Sequence, residues 1–172
     1  GLGDVYKRQM EFNELKLDPR LLHGIEDRGY KEMTAVQELT LGKTLQGLDV
    51  AVQSQTGTGK TAAFLITLIQ RMASDRAAQR KKALIIVPTR ELAVQIEKEA
   101  WLLTHHLRFR IGTFFGGVGY AGQLALLKKG VDIAIGTPGR LLDLSQSGHL
   151  KLHEIGILVI DEADRLFDMG LS

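Results

Sequence analysis

The sequence predicts an α/β domain built on a central, mostly parallel β-sheet with helices on both faces. Three observations lead there. From Met10 onward, short β-rich apolar runs alternate with longer stretches of helical spacing; a glycine-containing turn, Ser54 to Thr61, joins one such run to a helix; and the run Ile157 to Ile160 stops at the acidic tetrad Asp161-Glu162-Ala163-Asp164. Strands that alternate with helices pair in parallel under cover on both sides, and ligands of such sheets gather beyond the carboxyl ends of the strands. A chain of 172 residues, 44% hydrophobic and 24% charged, suits one full core and is short for two.

Taken in order, residues 1–9 lack the patterning of the rest of the chain and carry neither the apolar core nor the cleavage pattern of a signal peptide. They read as a non-native leader, with Met10 as the true start. Asp18-Pro19 opens a helix, with an N-cap followed by proline at the first helical position, and Gly29 closes it. Thr34 to Gln37 starts the next. Asp49 to Gln53 reads as a strand, Lys60 to Met72 as a helix, and Ala83 to Val87 as a buried strand ending at Pro88. Leu92, Ile96, Ala100 and Leu103 recur at helical spacing, which predicts an amphipathic helix over Arg90 to Leu103 with Trp101 packed. Further strands are expected at Arg110 to Phe115, Val131 to Ile135 and Ile157 to Ile160, the last one buried, and helices at Ala121 to Lys129 and Leu141 to Ser147.

Composition narrows the chemistry. A formal net charge of +2 is too small to indicate nucleic acid by itself. Without cysteine there is no disulfide framework, thiolate metal site or cysteine nucleophile, which fits a reducing, cytoplasmic setting. The five histidines show no metal-ligand spacing, and the neighbours His105 and His106 read as a solvated helix end. No apolar stretch reaches the roughly 18 residues that span a bilayer, so no membrane is expected.

A strand, a glycine-containing loop and Gly59-Lys60-Thr61 opening a helix is the context that gives the phosphate-binding P-loop its meaning. Gly57 and Gly59 let backbone N–H groups converge on phosphate oxygens, Lys60 offers a cation to the β and γ phosphates, and Thr61 a hydroxyl to magnesium. The strict eight-residue pattern begins with glycine, where this chain has Ser54. The competing reading is an ordinary strand-to-helix turn with a surface lysine. In the tetrad, adjacent side chains on extended backbone point oppositely, so Asp161 suits magnesium and Glu162 the attacking water. Its rival is helix capping ahead of Arg165-Leu166-Phe167.

Ser54-Gln55-Thr56-Gly57-Thr58-Gly59-Lys60-Thr61 together with Asp161-Glu162-Ala163-Asp164 closely resembles the DEAD-box ATP-dependent RNA helicases of bacterial type. Pro88-Thr89-Arg90-Glu91-Leu92, Gly116-Gly117 and Thr137-Pro138-Gly139-Arg140 look like that family's RNA-contacting motifs, in order and each at a strand end. The resemblance, which covers Phe12 to Gly170, implies a RecA-like P-loop NTPase fold over residues 39–172 and an adenine-recognition segment over 10–38. It implies Mg2+ and ATP as cofactors, with Ser54 to Thr61 and Asp164 at the nucleotide, Thr61 and Asp161 at the metal, and Lys60, Asp161 and Glu162 in the catalytic roles. Gly29-Tyr30 and Gln37 resemble the adenine-recognition segment, with Phe12 as its upstream aromatic, which implies ATP over GTP. The family usually carries proline at the position of Met33 and often at that of Ala35. Read from the residues alone, Phe12 is an ordinary core side chain and Gln37 the partner of Thr34 in a capping box. Pro88, Thr89, Arg90, Gly116, Gly117 and Thr137 to Arg140 would hold the RNA backbone without reading its sequence, while Arg140 is equally suited to a loop-holding pair with a carboxylate.

Two other readings compete. Gly117-Val118-Gly119-Tyr120-Ala121-Gly122 spells a dinucleotide fingerprint, yet Val131 to Ile135 runs into Gly136-Thr137-Pro138 and offers no acid for a ribose. This leaves a nicotinamide-dependent oxidoreductase as a remote alternative. The nearer one is an RNA- and nucleotide-binding module without turnover. The family's Ser-Ala-Thr motif and its second RecA-like domain, whose arginines stabilise the transferring phosphate, are not among residues 1–172. The expectation is an RNA-stimulated ATPase and helicase as the parent, with weak ATP binding and little turnover in this piece.

Overall fold

The computed structural model describes residues 10–34, 37, 41, 58–74 and 82–160, with the backbone alone given for 58–60. Its helices are α1 (Pro19–Asp27), α2 (Thr58–Ser74), α3 (Arg90–Leu103), α4 (Tyr120–Lys129) and α5 (Pro138–Gln146). Its strands are β1 (Lys82–Ile86), β2 (Ile111–Phe114), β3 (Ile133–Gly136) and β4 (Ile155–Ile160). The strand expected at 49–53, the turn 54–57 and the tetrad 161–164 lie outside the described residues. Most observed boundaries agree with the expected ones to within a residue or two, the ordinary uncertainty of element ends.

All pairings in the sheet are parallel, in the order β2-β3-β1-β4. Ala83 of β1 lies opposite Ile133 on one side and Ile157 on the other. Each crossover from β1 to β2, β2 to β3 and β3 to β4 carries a helix, as parallel strands require. Successive strand residues face opposite ways. Ala83, Ile85 and Val87 accordingly join one core with Leu21 and Ile25 of α1, Leu65 and Ile69 of α2, and Ile96 of α3. Leu84 joins a second core with Phe114, Ala134, and Leu141 and Leu144 of α5. The helices thus cover both faces, which is why the chain is apolar from Ala83 to Val87, Lys82 at the start of β1 pairing with Glu154 instead.

α1 begins as the Asp18-Pro19 pair predicts. Asp18 Oδ1 accepts from the Arg20 N–H at 2.9 Å, Pro19 occupies the first helical position, and Gly29 follows the helix at φ 77°. The Asp18 N–H donates to Gln70 Oε1 at 2.7 Å, tying the start of α1 to α2. The Arg20 side chain grips both Asp18 carboxylate oxygens and holds that carboxyl below the usual range. α1 also runs very close to the end of α3: a Cβ at Gly24 would lie 2.3 Å from the Leu103 carbonyl oxygen.

Three expectations need correction. Trp101 does not pack; it is 51% exposed. Ala93, Ile96, Ala100 and Leu103 form the buried face of α3, and one step of about 100° past Ala100 turns Trp101 towards solvent. β4 is not buried on both faces, since Leu158 and Ile160 are 56% and 49% exposed. It stands at one end of the described sheet and pairs there with β1 alone, so Ile157 and Val159 reach the first core while the alternate residues do not. α5 starts at Pro138, three residues before Leu141, because Thr137 is extended and proline is well accommodated at the first helical position.

Gly24→Ala should destabilise the protein by about 1–3 kcal/mol in urea unfolding, whereas Gly122→Ala, on an open part of α4, should be neutral or stabilising by up to about 1 kcal/mol. Asp18→Ala should cost about 1 kcal/mol at neutral pH. Because folding lowers the Asp18 pKa, that contribution is present above the unfolded value of about 3.9 and disappears as pH falls through the folded one. Unfolding curves of the two proteins should therefore converge in acid.

Candidate functional site

Parallel strands send their carboxyl ends the same way, so the loops after β1, β2 and β3 share one rim. Pro88-Thr89-Arg90 leaves β1, Phe115-Gly116-Gly117 leaves β2, and Thr137-Pro138-Gly139-Arg140 leaves β3. The Val87 N–H donates to Gly136 O at 2.9 Å and the Thr137 N–H to Phe114 O at 3.0 Å, so neighbouring loops depart in step. Thr89 caps α3, its Oγ1 accepting from the Leu92 N–H at 3.2 Å. Thr137 precedes α5 with no side-chain cap bond.

Side chains then join the three loops. The guanidinium of exposed Arg90 lies over the Phe115 ring, 5.4 Å from its centre, and its Nη1 passes 3.5 Å from where a Cβ on Gly117 would sit. Gly117 has φ +84°, which favours glycine there. Gln123 of α4, only 5% exposed, donates through Nε2 to Phe115 O at 2.9 Å and accepts at Oε1 from Arg140 Nη1 at 2.9 Å. Arg140 also lies over the Tyr120 ring at 5.1 Å. Among the described residues the loop-holding partners of Arg140 are a carboxamide and a ring, and no carboxylate is among them. Gln123 itself carried no sequence signal, since both partners belong to other elements.

The glycines of the rival fingerprint do not behave as one. An added Cβ at Gly122 would meet nothing within 4 Å, so the tight helix packing expected of the fingerprint's third glycine does not occur there.

At the phosphate end, Thr58 to Thr61 form the first turn of α2, which carries no acidic residue. A helix N-terminus free of negative side chains suits an anion, so the described part of this segment fits a nucleotide phosphate. Thr61 is half-buried there. Ser54 to Gly57, the Lys60 side chain and Asp161 to Asp164 lie outside the described residues.

The expected adenine segment is built around a short antiparallel contact of Glu11 with Glu32. The Met33 N–H donates to Met10 O at 2.8 Å, a bond that proline at this position would forfeit, and the side chain is 1% exposed. Phe12 is 2% exposed, a core residue tilted against Tyr30 at 6.2 Å. Gln37 is 4% exposed and forms the capping box: its Oε1 accepts from the Thr34 N–H at 2.9 Å and its N–H donates to Thr34 Oγ1 at 3.2 Å. The Tyr30 hydroxyl donates to Glu99 Oε1 at 2.9 Å, and Arg28 grips both Glu99 oxygens. Burial, followed by the Glu99 carboxylate, pushes the Tyr30 hydroxyl pKa up.

One cluster corrects the expectation that the histidines lack ligand spacing and that His106 belongs to a solvated helix end. His106 Nε2 lies 2.6 Å from Asp27 Oδ2, and the His23 and His106 rings stack at 3.6 Å with an interplanar angle of 1°. His106 is 79 residues from Asp27, so spacing hides it; the visible hint is His23 and Asp27, four apart on one face of α1.

A sequence profile of the DEAD/DEAH box helicase family matches residues 34–172. Proteins named ATP-dependent RNA helicase RhlB from Photorhabdus laumondii and Shigella dysenteriae are 43% and 44% identical over 174 aligned residues, covering 98% of this chain and 41% of each relative. Among solved structures, a hypothetical ATP-dependent RNA helicase from Sulfolobus tokodaii aligns with TM-score 0.80 and 34% identity over 90% of this chain and 44% of that one. The chain spans about two fifths of the length of the curated relatives it matches.

Removing the Gln123 bridge strips partners from a carbonyl and an arginine at once. Gln123→Ala should cost about 1–3 kcal/mol in chemical denaturation. Gln146→Ala, at the exposed end of α5, should stay within about 0.5 kcal/mol of the parent.

Proposed function

The chain belongs to the DEAD/DEAH box helicase family, and from that premise we propose that it is the first, ATP-binding RecA-like domain of an ATP-dependent RNA helicase. In this reading Ser54 to Thr61 hold the phosphates, with Lys60 set against the β and γ groups and Asp164 nearby. Thr61 and Asp161 hold Mg2+, which when bound offsets phosphate charge. Glu162 orients the attacking water and accepts its proton. Gln37 reads adenine by exchanging its bond to the Thr34 N–H for one to the base, beside Tyr30 and Phe12. Phe12, being buried, contributes through its packing on Tyr30 unless the segment opens.

The observation that carries the RNA half is the joining of three loops into one rim by Arg90 on Phe115 and by Gln123 between Phe115 and Arg140. Arg90 pairs with a backbone phosphate, while the N–H groups of Gly116, Gly117 and Gly139 supply further donors; Thr137, whose N–H is bonded to Phe114 O, offers its hydroxyl, and Pro138 fixes the start of α5. Contacts of this kind register backbone shape and not base sequence. A strand held bent across the rim no longer pairs with its complement, which opens a short duplex locally. Arg140, gripped by Gln123, positions its loop and offers the remaining donors of its fork.

The proposed whole protein works with a second RecA-like domain of the same parent chain, which supplies the arginines that complete phosphoryl transfer. A cytoplasmic setting is part of the same proposal; among the described residues no helix is long and apolar enough to cross a membrane.

Direct binding measurements test both halves. Arg90→Ala should weaken binding to single-stranded RNA of any sequence and reduce the slope of log affinity against log salt by about 0.7–1. An unchanged affinity and slope would remove the RNA reading. Lys60→Ala should abolish binding of a fluorescent ATP analogue, and in the complete protein Glu162→Gln should bind ATP yet stop turnover. Normal turnover in that variant would overturn the role given to Glu162.

A further inference from the structure

His23, Asp27 and His106 converge on one point at the exposed joint between α1 and the turn that follows α3. Their ligand atoms all lie within 4.8 Å of one another. His106 Nε2 is 2.6 Å from one Asp27 oxygen and His23 Nε2 is 3.7 Å from the other. The two imidazoles are stacked flat, so both present the same edge to the carboxylate.

Each of the three side chains can act as a Lewis base at this point. An imidazole N–H satisfies the short His106–Asp27 contact in the absence of metal, and a bound cation would take the place of that proton, using the ring nitrogen lone pairs and a carboxylate oxygen as ligands. Four-residue spacing on α1 fixes two of the donors on one helical face, and the close packing of α1 on the end of α3 brings the third. Small rotations about the side-chain torsions would bring all three within bonding reach of one ion.

We infer that His23, Asp27 and His106 form a binding site for a divalent late first-row transition metal, zinc foremost, that ties α1 to the end of α3. Two imidazole nitrogens and one carboxylate oxygen are a donor set that zinc takes readily, with water completing a tetrahedron. Magnesium is a poor competitor, because it prefers oxygen ligands and dehydrates reluctantly. The site is separate from Thr61 and Asp161 in both residues and ligand chemistry. It adds a second tie between helices that the Arg28–Glu99 bridge already joins, next to the mount of Tyr30.

The test uses the full chain without a histidine tag, stripped of metal and held in excess Mg2+. Titration with Co2+ should give the visible absorption of a tetrahedral nitrogen–oxygen site, saturating at one equivalent and bleached by Zn2+. Zinc should also raise the melting temperature. His23→Ala and His106→Ala should each weaken uptake at least ~10-fold, by analogy with the losses seen even for outer-shell partners. His105→Ala and His149→Ala should leave it unchanged. Absence of saturable uptake, or uptake indifferent to both His23→Ala and His106→Ala, would overturn the site.

Discussion

Strand β1 is covered on both faces, and much of the architecture follows from that constraint. From Ala83 to Val87, with Ala83, Ile85 and Val87 in one core and Leu84 in another, the chain has no side left for water and carries apolar residues only; the charge of Lys82 is confined to the start of the strand. Its neighbours must run parallel with helical crossovers to supply both covers. Polar chemistry is thereby expelled to the strand ends, and since all ends of one kind point the same way, the loops that can contact a ligand collect on one rim.

Apolar burial fixes the layers but says little about how a helix is turned or how a loop is aimed. A few polar bridges do that. Gln70 meets the backbone of Asp18, Glu99 joins Arg28 to Tyr30, and Gln123 links Phe115 to Arg140. Each spans two elements, and the nearly buried Gln123 loses partners if either element shifts. Such a bridge selects one arrangement more strongly than its net energy suggests, because an unmade bond in a buried place is costly. Gly24 acts to the same end by letting α1 approach the end of α3 closely.

What was legible in the sequence was local. Helical spacing placed α3 at its observed bounds, Asp18-Pro19 gave the start of α1, and the Thr34–Gln37 capping box was readable from its interval of three. The three loops of the rim could be placed at strand ends because each follows an apolar run. What was not legible depends on partners distant in sequence. Trp101 looks like a core residue until the buried face of α3 is known, and the continuous apolar run of β4 conceals that Leu158 and Ile160 are exposed. Gln123 and His106 are ordinary polar residues until the fold brings Arg140 and Asp27 to them. Met33 is the middle case: its departure from the family's usual proline is visible in sequence, but the reason, an N–H bonded to Met10, is not.

Arg90 and Arg140 each sit over an aromatic ring, Phe115 and Tyr120. What this favours is one direction for the side chain. A guanidinium held over a ring is confined before any partner arrives, so less rotamer freedom remains to be lost on contact. Lysine would keep the positive charge while giving up both the flat face and the fork, becoming a strongly hydrated point charge on a mobile stem. At these two positions the property built into the rim is therefore the orientation of a charge, which a count of basic residues cannot register.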